Sequence, residues 1–154
     1  MRQESGRSMI EMLGVLAIMG VITVGAIGMI STAMRTQKRN AVNDEVIQMV
    51  TQVRTLLGEY DDYSHINNST IFNVIGMTNQ NPYGGTYALA VDPSNSRQFV
   101  VIISGLSQSD CEYFATKAWS DSVGYTNSNG KNSGATGNCK NGANNNTVEI
   151  TYGE

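Results

Sequence analysis

The chain carries a run of 23 residues without a charged side chain, from Met12 to Met34. A helix of that length can cross the hydrocarbon core of a bilayer, which needs about 20 apolar residues. Glu11 stands at the head of the run. A carboxylate costs about 2.5–3.5 kcal/mol at the bilayer centre, so an ionisable group in such a place usually has a partner and a role. The run predicts an apolar membrane helix, in which Glu11 either has a partner or reaches back to the interface.

The helical pattern continues beyond this run. No proline occurs before Pro82, and apolar side chains recur every three or four residues as far as Leu57. This spacing is typical of one face of an amphipathic helix. We expect one helix from about Ser8 to Leu57, ending at Gly58, whose second half presents the apolar positions Val42, Val46, Met49, Val50, Val53, Leu56 and Leu57. An ordinary single-span anchor followed by a coiled coil is the alternative.

Three glycines interrupt the apolar half of this helix. Gly20, Gly25 and Gly28 lie among β-branched residues, and both residue types are weak helix formers. We expect this stretch to extend or partly unwind when helices pack together. Alternatively, the small residues let helices approach closely in the membrane, and both can hold.

The string Gly6-Arg7-Ser8-Met9-Ile10-Glu11 resembles the class III signal of type IV prepilins. The resemblance implies that a membrane peptidase cuts after Gly6 and methylates the new N-terminus at Arg7. It also implies that Glu11 pairs with the terminal amine of a neighbouring subunit during filament assembly. Such a pair acts mainly as a register device, because an unpaired subunit leaves a buried charge uncompensated. Members of this family usually begin with an apolar residue, whereas Arg7 is charged.

The remaining residues predict a small globular head. Thr86–Val91 and Gln98–Ile103 have strand composition, as does Thr147–Tyr152 at the end of the chain. Ser107–Trp119 predicts a helix capped by Ser107 or Ser109. Val123–Asn146 is rich in Gly, Asn, Ser and Thr, and predicts a loop without regular structure. The expected fold class is α+β, with a long N-terminal helix packed on a small antiparallel sheet, as in type IV pilins.

Two cysteines, Cys111 and Cys139, lie in the head. An even count in an exported domain favours a disulfide, and two free thiols in a cytosolic domain are the alternative. The string Gly105–Cys111 (GLSQSDC) looks like the start of a helix in type IVb pilins. In those proteins the first cysteine closes a C-terminal disulfide loop, here 111–139. Basic residues flank the apolar run on both sides, so its orientation rests on the cysteines rather than on charge.

Catalytic chemistry is not expected. His65 stands beside Asp61 and Asp62, but this group reads as a solvated loop rather than a general base. Two cysteines and one histidine cannot build a usual zinc site, so we expect no metal and no cofactor. The net charge of -3 gives no electrostatic footprint for nucleic acid.

The expected organisation is a leader 1–6, an apolar helix 7–34, an amphipathic half 35–57 and a head 58–154. The resemblance implies a structural pilin subunit, not an enzyme, that polymerises with itself into an extracellular type IV pilus. Its further partners would be the prepilin peptidase, the pilus assembly machinery and the bacterial inner membrane. Such filaments serve adhesion, aggregation, motility or DNA uptake.

Other readings remain open at this point. Within the same family, the chain could be a minor pilin or a type II secretion pseudopilin. From another class, it could be a monomeric membrane-anchored binding or adhesin domain. An ordinary secretory signal ending near Ala33 is the rival for the apolar run, although the run is longer than the usual 7–15-residue core of such signals.

Overall fold

The structure is a computed structural model that describes residues 2–132, 138–142 and 144–153. Outside the described residues lie Met1 of the predicted leader, residues 133–137 of the predicted loop 111–139, Ala143 and Glu154, together with the side chains of residues 2–5, 7, 124–125 and 131–132. The chain divides between Lys38 and Arg39 into two compact units.

The first unit is helical. Helix α1 runs from Arg2 to Leu57 without a break, and the first unit contains its residues as far as Lys38. The helix begins six residues before the predicted start at Ser8. Arginine, glutamine and glutamate in that segment are good helix formers, and no proline interrupts them. From Ser8 onward this helix is long and apolar enough to cross a membrane by length and composition, which is weak evidence on its own.

The second unit begins with the last part of α1, from Arg39 to Leu57. One face of this part is fully buried, and its residues follow the predicted spacing: Val42, Val46, Met49, Val50 and Val53. The pattern places Leu56 on the same face, but its side chain is 41% exposed. After Leu57, α1 gives way to a single 3-10 turn at Gly58–Tyr60. The predicted end at Gly58 is therefore right, and the buried face ends one turn earlier.

A five-stranded antiparallel sheet forms the body of the second unit. Its strands are β1 (Tyr87–Asp92), β2 (Asn95–Leu106), β3 (Ser122–Ser128), β4 (Lys131–Asn132) and β5 (Asn146–Gly153). They lie in the order β1-β2-β5-β3-β4, so the last strand of the chain is central. Val101 of β2 lies opposite both Leu89 of β1 and Ile150 of β5, which brings three buried side chains into one row. The three predicted strands and the predicted fold class are confirmed.

Two short helices complete the second unit. Helix α2 spans Ile71–Ile75, and helix α3 spans Gln108–Thr116. Ser107 caps α3 by accepting a hydrogen bond from the Asp110 backbone N–H at 3.3 Å, which selects it over Ser109. The helix stops three residues before the predicted end. Trp119 lies beyond it, buried, with its indole N–H donating to the Phe114 carbonyl at 3.0 Å.

The prediction that 123–146 lacks regular structure is wrong in its first part. Strand β3 pairs with β5, with Thr126 opposite Ile150 and Ser128 opposite Val148. The composition of this segment does not predict a strand, because residues that favour strands are few and scattered in it. Its order comes instead from the backbone hydrogen bonds to β5. Asn129 and Gly130, both at positive φ, then turn the chain into β4.

Between α1 and the sheet lies a single hydrophobic core. The buried face of α1 joins inward-pointing residues of the three adjacent strands and of α3 in one cluster. Its largest fully buried members include Tyr87, Phe99, Phe114, Met49, Leu89, Ile103, Leu106 and Ile150. Alternation along β2 and β5 explains this, since every second side chain of a strand points to the same face.

Candidate functional site

The N-terminal segment singled out by the sequence lies on the first turns of α1. Gly6 and Glu11 are both helical and exposed. Among the side chains that the structure describes, none forms an ion pair with Glu11, since the two ion pairs there are Arg39–Asp110 and Arg54–Asp121. The carboxylate is therefore available to a partner outside the chain.

A continuous apolar surface surrounds the helix from Met9 to Met34, on both sides of Glu11. Every large apolar side chain in this stretch is more than half exposed: Met9, Ile10, Met12, Leu13, Val15, Leu16, Ile18, Met19, Val21, Ile22, Val24, Ile27, Met29, Ile30 and Met34. Soluble monomeric proteins rarely expose contiguous apolar patches beyond a few hundred Å². This surface consequently requires lipid or other apolar helices around it.

Two threonine hydroxyls on the apolar part of this helix have acceptors within the helix. Thr23 donates to the Met19 carbonyl at 2.7 Å, and Thr32 donates to the Gly28 carbonyl at 3.2 Å. Both bonds join residues four apart on the same helix, a common arrangement for threonine. An apolar environment would therefore not leave these two hydroxyls without a hydrogen bond.

Nothing within the chain requires the glycines of the apolar half. A Cβ atom built at Gly14, Gly20, Gly25 or Gly28 would meet no atom within 4 Å. Each lies in a continuous helix, where glycine is about 1 kcal/mol less favourable than alanine. A reason for these glycines must come from contacts with other helices or from a change in helix conformation. Their predicted unwinding stays a prediction.

An ion pair ties α1 to α3 within the second unit. The Asp110 carboxylate accepts hydrogen bonds from Arg39 Nε at 3.0 Å, from Ser107 Oγ at 2.7 Å and from the Tyr83 hydroxyl at 3.4 Å. The Asp110 side chain is 9% exposed and that of Arg39 is 23% exposed. The guanidinium carbon of Arg39 also lies 4.2 Å from the centre of the Tyr113 ring. Burial, followed by the Asp110 charge, raises the pKa of Tyr83 to about 12.

Two further polar contacts hold the same part of α1. The Tyr87 hydroxyl donates to the Glu45 carboxylate, and Lys117 Nζ donates to Asn43 Oδ1. Burial, reinforced by the Glu45 hydrogen bond, raises the pKa of Tyr87 above its ordinary value. Burial also lowers the pKa of Lys117, whose ammonium lies 4.6 Å from the Trp119 ring. These contacts fix the rotation of this part of α1 about its axis and its position along the sheet.

A disulfide joins Cys111 of α3 to Cys139, with their Cα atoms 5.9 Å apart. Both sulfur-bearing residues are buried. Sequence reasoning missed the polar groups around Cys139, where the amides of Asn129 and Asn146 hydrogen-bond to the backbone on either side of it. It also missed Arg39 and Asp110, which stand 71 positions apart and carry no shared motif.

Side chains that could ligate a metal ion do not cluster in the described ranges. Among those residues, no group of three or more His, Cys, Asp or Glu side chains could hold a metal ion. His65 is exposed in a turn, as expected. The Ser64 backbone N–H and hydroxyl both donate to Asp62, and these hydrogen bonds lower the pKa of that carboxyl.

Comparison with known proteins finds a similar sequence and similar solved structures. No protein-family model matches the chain. The toxin coregulated pilin of Vibrio cholerae serotype O1 is 25% identical over 128 residues, covering 73% of this chain and 57% of that protein. The chain thus spans a little over half the length of the curated relative that it matches.

The crystal structure of a type IVb pilin from Salmonella typhi superimposes with a TM-score of 0.54. The match covers 70% of this chain and 94% of that one at 16% sequence identity, a level that speaks to the fold alone. Both similar proteins are pilins. The predicted resemblance is confirmed, and the chain has the fold of a type IVb pilin.

Proposed function

We propose that this chain, having the fold of a type IVb pilin, is a structural subunit that polymerises with itself into an extracellular type IV pilus. The supporting observation is the apolar surface of α1 between Met9 and Met34, which is exposed on all sides and contains one acid near its start, Glu11. In the bacterial inner membrane, lipid covers this surface. In the filament, the same surface of neighbouring subunits covers it instead.

The proposed processing step creates the partner for Glu11. Cleavage after Gly6 by a prepilin peptidase removes the leader 1–6 and leaves an α-amino group on Arg7, which the same peptidase methylates. This amine meets Glu11 of a neighbouring subunit inside the helix bundle. Opposite charges attract strongly in such a low-dielectric environment, and a subunit out of register leaves a charge unpaired. The pair therefore selects one register for assembly.

The remaining segments take the roles that their surfaces fit. Residues 7–34 form the core helix, and residues 35–57 carry the head through the buried face that begins at Val42. Residues 58–154, with the disulfide-bounded loop 111–139, form the outer surface of the filament. Neither catalysis nor a cofactor enters this function, and assembly depends on the pilus machinery.

Replacing Glu11 tests the proposal directly. In cells that assemble the pilus, Glu11→Ala should abolish filaments in the sheared fraction while the subunit accumulates in the membrane. Glu59→Ala removes another exposed acid from the head and should leave filament yield unchanged. Immunoblots of sheared and membrane fractions, with electron microscopy of the sheared material, measure both. Filaments at wild-type levels in Glu11→Ala would contradict the proposal and favour a monomeric membrane-anchored binding domain.

A further inference from the structure

A buried amide lies beside the disulfide. Asn146, at the start of β5, is 1% exposed. Its Oδ1 accepts hydrogen bonds from the Lys140 backbone N–H at 2.7 Å and from Asn129 Nδ2 at 3.0 Å. Its Nδ2 donates to the carbonyls of Leu106 at 3.1 Å and Lys140 at 3.0 Å. Both donors and both acceptor positions of this amide are engaged.

Asn129 completes the arrangement from the turn between β3 and β4. Its Nδ2 also donates to the Asn138 carbonyl at 2.6 Å, while its Oδ1 accepts from the Thr147 backbone N–H at 3.0 Å. Its own backbone N–H donates to the Thr147 carbonyl at 3.0 Å. Asn129 has a φ of 50°, a left-handed conformation that asparagine tolerates better than most residues. The turn thus aims its amide at the segment that contains Cys139.

We propose that Asn129 and Asn146 form an amide clamp that holds the Cys139 segment in place without help from the disulfide. The clamp grips the backbone on both sides of Cys139, at Asn138 and at Lys140. It connects this segment to β2 and β5, whereas the disulfide connects it to α3. The two attachments are therefore independent in space.

The clamp also prepares the disulfide. Two interactions that order the same segment stabilise each other. Once the first has formed, the segment has less conformational entropy left to lose when the second forms. With the clamp formed, Cys139 lies at a distance from Cys111 that a disulfide can bridge. The exposed residues Lys140, Asn141 and Gly142 consequently keep one conformation in the dithiol and disulfide forms.

Amide hydrogen exchange of the full chain in detergent micelles separates the two attachments. In Cys111→Ala/Cys139→Ala, the Lys140 and Thr147 N–H groups should exchange within about tenfold of their wild-type rates. In Asn129→Ala, with the disulfide intact, the Lys140 N–H should exchange more than about tenfold faster, because its acceptor amide loses its neighbour. The reverse pattern, with protection lost in the cysteine variant and kept in Asn129→Ala, would overturn the proposal.

Equilibration with glutathione tests the coupling. One protein thiolate attacks oxidised glutathione and releases one reduced glutathione, after which the second thiolate displaces the other from the mixed disulfide. The equilibrium constant should fall about three- to tenfold in Asn129→Ala and Asn146→Ala, within the limit set for hydrogen exchange because the coupling is reciprocal. It should stay unchanged in the exposed neighbour Asn145→Ala. Equal constants in all four proteins would refute the coupling. If Asn146→Ala does not fold, Asn129→Ala decides, since its side chain is only partly buried.

Discussion

Arg39→Ala should lower the free energy of unfolding by more than the loss of a surface ion pair would. Arg39→Ala leaves the Asp110 carboxylate 9% exposed, with only the neutral hydroxyls of Ser107 and Tyr83 as donors. Breaking a buried pair by removing one partner costs about 3–5 kcal/mol. Because two donors remain and Arg39 is 23% exposed, we expect the loss for Arg39→Ala at the lower end of this range, about 3 kcal/mol. Lost packing on the Tyr113 ring acts in the same direction.

A double-mutant cycle isolates the pair from the packing. Asp110→Ala should cost less than Arg39→Ala, about 2 kcal/mol, because the freed guanidinium can turn towards water. The double variant should lose less than the sum, with a coupling of about 2 kcal/mol. Arg39→Lys keeps the charge but not the planar fork, and should fall between wild type and Arg39→Ala.

Trp119 provides the assay. It is the only tryptophan, it is buried, and it stacks on Phe114 with the ring centres 5.9 Å apart. Its fluorescence therefore reports urea unfolding of the head in the full chain, solubilised in detergent. A coupling below about 0.5 kcal/mol is the value of an exposed pair. That result would refute the argument that the buried Asp110 depends on Arg39.

Three other predictions follow from the head. Cys111→Ala/Cys139→Ala opens a loop of sequence separation 28 and should lower the free energy of unfolding by about 3.6 kcal/mol, chiefly through the unfolded chain. Gly85→Ala should destabilise the head by more than about 3 kcal/mol, because its Cβ would lie 2.2 Å from the Ser104 carbonyl oxygen, which is backbone. The raised pKa of Tyr83 makes its neutral form the one that the fold favours, so its contribution is complete below pH 10 and is lost as pH rises through about 12. The urea midpoint should fall across that range, and fall less in Tyr83→Phe.

Urea unfolding followed by Trp119 fluorescence measures all three effects, and a stated outcome would contradict each prediction. An unchanged midpoint in the cysteine double variant would contradict the loop-closure estimate. Gly58→Ala, where the nearest atom to the new Cβ is 4.0 Å away, should be close to neutral, and equal effects at the two glycines would contradict the steric argument. A decline above pH 10 that is identical in Tyr83→Phe and wild type would assign the alkaline loss to other groups.

Periodicity was sufficient to predict the elements that bury one face. The spacing from Val42 to Val53 predicts the buried side of α1, and the strand composition of β2 and β5 predicts two strands without giving their place in the sheet. Ser107 and Ser109 are the two cap residues that predict the start of α3, and the structure selects Ser107. These patterns are local, so a single sequence contains them.

Long-range polar contacts could not be predicted in this way. Arg39 contacts Asp110, which lies 71 positions away in the sequence. No local pattern around either residue predicts this contact. Asn146 belongs to a string of asparagines that is typical of a disordered segment. It is nevertheless buried, and its amide makes four hydrogen bonds, to Asn129, Lys140 and Leu106. Strand β3 could not be predicted for the same reason, because it depends on long-range pairing with β5 and not on its own composition.

The N-terminus of the assembled protein tests the central claim most directly. The intact mass and N-terminal peptide of material sheared from cells should show a chain that begins at Arg7 and carries one added methyl group. The mass should also be two hydrogens below the dithiol value, as the Cys111–Cys139 bond requires. A chain that still carries residues 1–6, or one that begins near Met34, would contradict the assignment as a processed pilin subunit.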